Sequence, residues 1–99
     1  MTTATTITEL RTTLLQVPWQ GAAPAAGILS AAKRDIFVLE IETQGGLIGM
    51  SYLMPLRGGI HTLDACLKEL IAPHVIGRDA TEVEAIWQAL YKSNFWLGR

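Results

Sequence analysis

The spacing of apolar positions changes once along this chain, from a strand-like to a helix-like period, and the change falls after Ile60. From Thr6 to Val17 the sequence is rich in Thr, Ile, Leu and Val, with Pro18 behind it, which predicts a first strand. Ile36-Phe37-Val38-Leu39 is a continuous β-prone run that passes into alternation, with Leu39 and Ile41 opposite Glu40 and Glu42. A second strand is therefore expected over Asp35 to Thr43, with one face buried at its end. Gly45-Gly46 supplies residues that tolerate positive φ in a tight turn, and Leu47 to Leu53 returns as a third strand, closing an antiparallel hairpin.

Beyond Ile60, Leu63, Cys66, Leu67, Leu70 and Ile71 recur at helical spacing, with Thr62 as the expected N-cap and Pro73 as the expected stop, predicting a helix from Thr62 to Ala72. Thr81-Glu82-Val83-Glu84 fits a capping box, followed by a stripe of Val83, Ile86, Trp87, Leu90 and Tyr91. A last helix is expected from Glu82 to Ser93, with Trp87 and Tyr91 in the core. Three antiparallel strands followed by two or more helices define an α+β unit, with helices on one face of a small sheet.

Two segments fall outside this core pattern. Residues 19–32, from Trp19 through Ile28 and Leu29, form a long connection that is small-residue-rich and apolar rather than polar. Residues 54–60 join a rigid proline and a glycine pair to the large side chains of Met54, Leu56 and Ile60. Long loops in compact domains commonly serve as lids, and two apolar ones suggest a ligand wall.

Composition sharpens the picture. Hydrophobic residues make up 49% and charged residues only 17% of the 99, with mean hydropathy +0.28, against about 25% charged in an average domain. Such a chain is too apolar for disorder and rich in surface that wants covering. The stretch Phe95-Trp96-Leu97 concentrates this at the end of the sequence, and the expectation is that the 99 residues belong to a larger machine. Net charge is −1 and the eight Lys and Arg are scattered, so no basic stripe points to nucleic acid. No apolar run reaches the roughly 18 residues of a membrane span, and the first residues lack a signal-peptide pattern, so a cytoplasmic location is expected.

The residues offer little chemistry. His61 and His74 have no partner at a ligand spacing, and read as helix-entry punctuation and as loop packing. Ser30 and Ser51 lack a nucleophile elbow, and Cys66 lies on an apolar stripe as a structural thiol. Glu40 and Glu42, like Glu84, are expected to face solvent. No catalytic residue and no metal ligand is identified, and the chain alone is expected to be inactive.

Two longer patterns carry a resemblance. Val38 to Tyr52, with its Gly45-Gly46 turn and Gly49, resembles the hairpin of the N-terminal domain in the mandelate racemase and muconate lactonizing enzyme branch of the enolase superfamily. Leu70-Ile71-Ala72-Pro73-His74-Val75-Ile76-Gly77-Arg78-Asp79, followed by Glu84 and Trp87, is similar to that domain's helix junction. The likeness runs from about Ile7 to Arg99. It implies an N-terminal capping domain over residues 1–99, with the TIM-like barrel outside this chain. In the family the barrel carries the carboxylates for Mg²⁺ and the bases that remove a proton α to a carboxylate, so racemase, cycloisomerase or sugar-acid dehydratase chemistry is implied for the parent enzyme. The resemblance further implies a barrel partner, a carboxylate substrate and a homo-oligomer. Trp19, Ile28, Leu29, Met54, Leu56 and Arg57 would then form the lid, the apolar members lowering the local dielectric and Arg57 meeting a distal polar group of the substrate. The competing expectation is a free-standing α+β module that dimerises through Phe95-Trp96-Leu97.

Overall fold

Residues 3–18, 33–55 and 58–97 are described in the computed structural model. β1 (Ile7–Pro18), β2 (Lys33–Thr43) and β3 (Ile48–Leu53) form one antiparallel sheet in the order β1-β2-β3. Each lies within about two residues of its expected bounds. The register pairs Leu10 with Ile41, Thr12 with Leu39 and Leu14 with Phe37, and then Phe37 with Leu53 and Ile41 with Gly49. Because strand side chains alternate, this register gathers the core-facing residues on the side covered by helices. There Phe37, Ile60 and Leu67 are buried together, with Leu10, Leu14, Leu39, Leu63 and Ile71 packed around them. Among the described residues no large side chain is completely buried. The core is thin.

The hairpin turn needs both of its glycines, for different reasons. Gly46 has φ 87°, and a Cβ on Gly45 would lie 2.9 Å from the carbonyl oxygen of Ala4. That closeness arises because Gln44 and Gly45 donate their N–H groups to Thr6 and Ala4, each at 2.8 Å. The N-terminal segment is fastened a second time: Ile7 donates to Arg78 and Gly77 to Ile7, both at 2.8 Å, while Ala80 donates to Thr5 at 2.9 Å. A β-bridge between Thr6 and Asp79 completes a clamp between the start of the sheet and the chain beyond the first helices.

The helices depart from expectation at their ends. α1 (Ile60–Cys66) starts two residues before the expected bound, capped by Gly59 in the left-handed conformation rather than by Thr62. Glycine enters that conformation at no steric cost, so the chain turns into the helix earlier than a side-chain cap would allow. Pro73 does not stop the helix: a π-helical stretch over Leu67–Ile71 leads into α2 (Ala72–Val75) with Pro73 in its first turn. Proline cannot donate to the carbonyl four residues back, and the first turn of a new helical segment tolerates this. His74 consequently lies within α2 rather than in a loop. α3 (Val83–Asn94) continues into a 3-10 turn over Phe95–Leu97.

The capping box does not form. α3 has Glu82 at its N-cap with no side-chain hydrogen bond, and the Thr81 hydroxyl donates instead to Asp79 Oδ1 at 2.8 Å. The Thr81 N–H donates to the same oxygen at 3.0 Å, closing an Asx turn that competes for the hydroxyl the cap would use. Trp87 and Tyr91 are not core residues either. Trp87 is 54% exposed, and the two rings stack on each other at 5.2 Å on the open side of a helix whose tertiary packing is against α2.

Candidate functional site

Both connections singled out as lids spring from the same end of the sheet. Pro18 pairs with Lys33 where β1 leaves and β2 returns, and Leu53 pairs with Phe37 four residues further along β2. The second connection leaves at Leu53 and re-enters at Ile60, which is buried beside Phe37. Its return is shaped by Gly58 and Gly59, with φ of 87° and 88°. The second connection thus returns to the core at Ile60, whereas the end of β1 that leads into the first is exposed. Of the six lid residues, Met54 lies within the described structure and is 39% exposed, following Leu53 at the rim. Trp19, Ile28, Leu29, Leu56 and Arg57 lie outside the described residues.

Beside this end an apolar groove of about 190 Å³ runs between β3 and the helices. Phe37, Leu39 and Leu53 form its floor, and Leu63, Cys66 and Leu67 its helical wall. Cys66 is half-buried there, a thiol at a groove wall rather than deep in a core.

Charge collects at the opposite end of the sheet, on the face turned away from the helices. Arg11 Nη1 contacts Glu42 Oε1 at 2.6 Å and Glu9 Oε2, and its Nε lies 4.0 Å from Glu40 Oε1. The Glu42 hydrogen bond, ahead of the other influences, holds the guanidinium more firmly protonated than usual. Glu40 and Glu42 were expected to be free in solvent; instead both side chains are about one third exposed and turned to Arg11. The register explains this, since Arg11 sits directly opposite Glu40. Glu84 is exposed. On the helix face, Thr12 donates to Asp64 Oδ1 at 2.6 Å and Lys68 Nζ lies 2.9 Å from Oδ2, tying β1 to α1. The Thr12 bond, then Lys68, lowers the Asp64 carboxyl below its ordinary value. The pairings of Arg11 with Glu40 and Glu42 were legible only once the strand register was known.

Among the described residues no group of three or more His, Cys, Asp or Glu side chains is arranged to hold a metal ion. Among the described residues, the three carboxylates of Glu9, Glu40 and Glu42 converge on a cation, Arg11. No helix among the described residues is long and apolar enough to cross a membrane.

The described residues form a three-stranded antiparallel sheet backed by helices on one face, the α+β arrangement of an enolase N-terminal domain. The chain belongs to the mandelate racemase / muconate lactonizing enzyme N-terminal domain family, whose model matches residues 7–99. It is similar to a D-mannonate dehydratase from Xanthomonas oryzae pv. oryzicola, 34% identical over 85 residues, which cover 80% of this chain and 20% of that protein. Among solved structures, a mandelate racemase/muconate lactonizing enzyme from a marine actinobacterium in complex with magnesium superposes with TM-score 0.69 at 31% identity, over 95% of this chain and 23% of that one. A racemase from Streptomyces coelicolor with bound magnesium shares the fold, with TM-score 0.76 at 24% identity, over 94% of this chain and 26% of that one. The chain spans about a fifth to a quarter of the length of these relatives.

Proposed function

We propose that this chain is the capping and substrate-specificity domain of a mandelate racemase/muconate lactonizing-type enzyme, acting on a carboxylate substrate whose α-proton is removed in a separate barrel domain. The observation that carries the reading is the common origin of the two apolar connections at one sheet end. In this reading Trp19, Ile28, Leu29, Met54 and Leu56 exclude water above the substrate, and Arg57 meets a polar group remote from the reacting carbon. Excluding water lowers the local dielectric and strengthens the electrostatic stabilisation of an enolate-like transition state. Magnesium, named with two of the similar structures, would supply that stabilisation from the barrel, because the side chains described here do not fit it. The similarity to D-mannonate dehydratase favours a sugar acid as substrate and dehydration as the reaction.

The exposed α3 stripe supplies a surface for the barrel. Val83 is 70%, Phe95 63% and Trp96 67% exposed, an apolar band that a large partner would cover. Domain complementation tests the reading. The 99-residue chain, co-expressed with the barrel of the Xanthomonas dehydratase lacking its own N-terminal domain, is expected to co-purify with it and to restore turnover of mannonate or another sugar acid. Failure to associate, with both parts folded, would overturn the reading in favour of a free-standing module.

A further inference from the structure

We infer that α3 is a hinged arm: it opens and unfolds as a unit of its own, pivoting at Glu82, while the sheet, α1 and α2 stay folded. Each helical stretch before it buries one apolar side chain, Ile60 in α1, Leu67 in the π-helical stretch and Val75 in α2. α3 buries none along its 12 residues. Its inward side is the half-buried row Ile86, Ala89, Leu90 and Ser93, which includes two small residues and packs mainly on the four-residue α2. The apolar cluster around Phe37 takes nothing from α3.

Hydrogen bonding divides the chain at the same place. Up to Ala80 the backbone is tied to β1 and the residues before it: Gly77 donates to Ile7, Ile7 to Arg78 and Ala80 to Thr5. Asp79 then closes the turn by accepting from the Thr81 N–H and hydroxyl. Beyond Glu82, the side-chain bonds of Gln88, Ser93, Asn94 and Trp96 all return to residues of α3 itself, namely Glu84, Ala89, Leu90 and Ser93. The pivot lies between the two sets. Glu82, with φ −89° and ψ 61°, is outside the helical conformation and lends α3 no side-chain cap.

Alone, such a helix does not hold. Nucleation carries a factor of about 10⁻³, and isolated helices shorter than about 12 to 15 residues are marginal in water. The stacked Trp87 and Tyr91, one turn apart, support α3 from within. What keeps it seated is the narrow contact with α2, and opening that contact takes no side chain out of the apolar cluster. Elements with few buried contacts open at a small fraction of the cost of global unfolding. The opened arm carries Val83, Trp87, Phe95 and Trp96 with it, so anything that binds only the seated helix closes the hinge by mass action. In the reading proposed above the barrel is that ligand; the hinge itself does not depend on that reading.

Native-state hydrogen exchange of the 99-residue chain is the test. After correction for intrinsic rates, the amides from Trp87 to Lys92 are expected to exchange at least about a hundredfold faster than those from Phe37 to Ile41 in β2. Gln88 is exposed, so Gln88→Gly acts through helix propensity and should quicken exchange in α3 about twofold to fivefold while leaving β2 unchanged. Gln88→Pro should abolish protection throughout α3 and again leave β2 protected. Equal protection of α3 and β2 would overturn the proposal. So would a Gln88→Gly chain in which both elements quicken by the same factor, or a Gln88→Pro chain that has lost the protection of β2.

Discussion

Three glycines of the hairpin separate two physical demands that sequence alone merges. Gly46→Ala forces an L-residue to positive φ and is expected to cost about 1 kcal/mol. Gly45→Ala presses a methyl onto a backbone oxygen that is itself hydrogen-bonded, and should cost more, about 1–3 kcal/mol. Gly49 has nothing within 4 Å of where a Cβ would lie and no positive φ, so Gly49→Ala is expected within about 0.5 kcal/mol of the parent. Urea melts of the three variants check this order; a Gly45→Ala protein as stable as Gly49→Ala would contradict the close approach. Two carboxylates set the acid limit. Thr12 and then Lys68 lower Asp64, and the Thr81 backbone N–H, then the Thr81 and Thr5 hydroxyls, lower Asp79. A carboxyl depressed in the folded state stabilises fully above its unfolded value, near 3.8, and loses that contribution as pH falls through the folded value. Stability should thus be level above about pH 5 and fall below about pH 4. Asp64→Asn with Asp79→Asn should flatten that fall, measured as urea midpoint against pH.

Elements were legible where one periodicity ruled and illegible where two local bonds competed. The strands are written in β-prone runs, and the stripe of Leu63, Cys66, Leu67 and Ile71, running from α1 into the π-helical stretch, does face the core or its groove. The beginning of α3 is different. Thr81 and Glu84 satisfy the capping pattern, but Asp79 two residues earlier captures the Thr81 hydroxyl. Thr81→Ala should consequently cost well under the ~1 kcal/mol of a lost N-cap, while Asp79→Ala, which removes the acceptor of the turn and of its Thr5 bond, should cost more. Thermal melts in which Thr81→Ala is the worse of the two would restore the capping box. The Trp87 and Tyr91 stripe misled for a further reason: an amphipathic period says that one face is apolar, not that this chain supplies what covers it. The two apolar connections were visible as composition, and the structure adds that their stems share one end of the sheet.

For the molecule as a whole, the exposed α3 band predicts behaviour opposite to that of a core. Changing Phe95→Ser and Trp96→Ser together should leave the melting temperature nearly unchanged, because both side chains are mostly exposed, yet raise solubility and lower binding of an apolar dye. Loss of several degrees in melting temperature would mean that the aromatic turn supports the fold. The clamp of Thr5 to Ile7 against Gly77 to Asp79 has a consequence in time rather than in stability. The β2–β3 hairpin can close as soon as Leu53 has been made, since its contacts are local. The start of β1, by contrast, finds its last hydrogen bonds only in Arg78 and Ala80, far along the chain, and closing so long a loop is entropically slow. A nascent chain therefore carries an incompletely fastened start of β1 until Arg78 and Ala80 have been made.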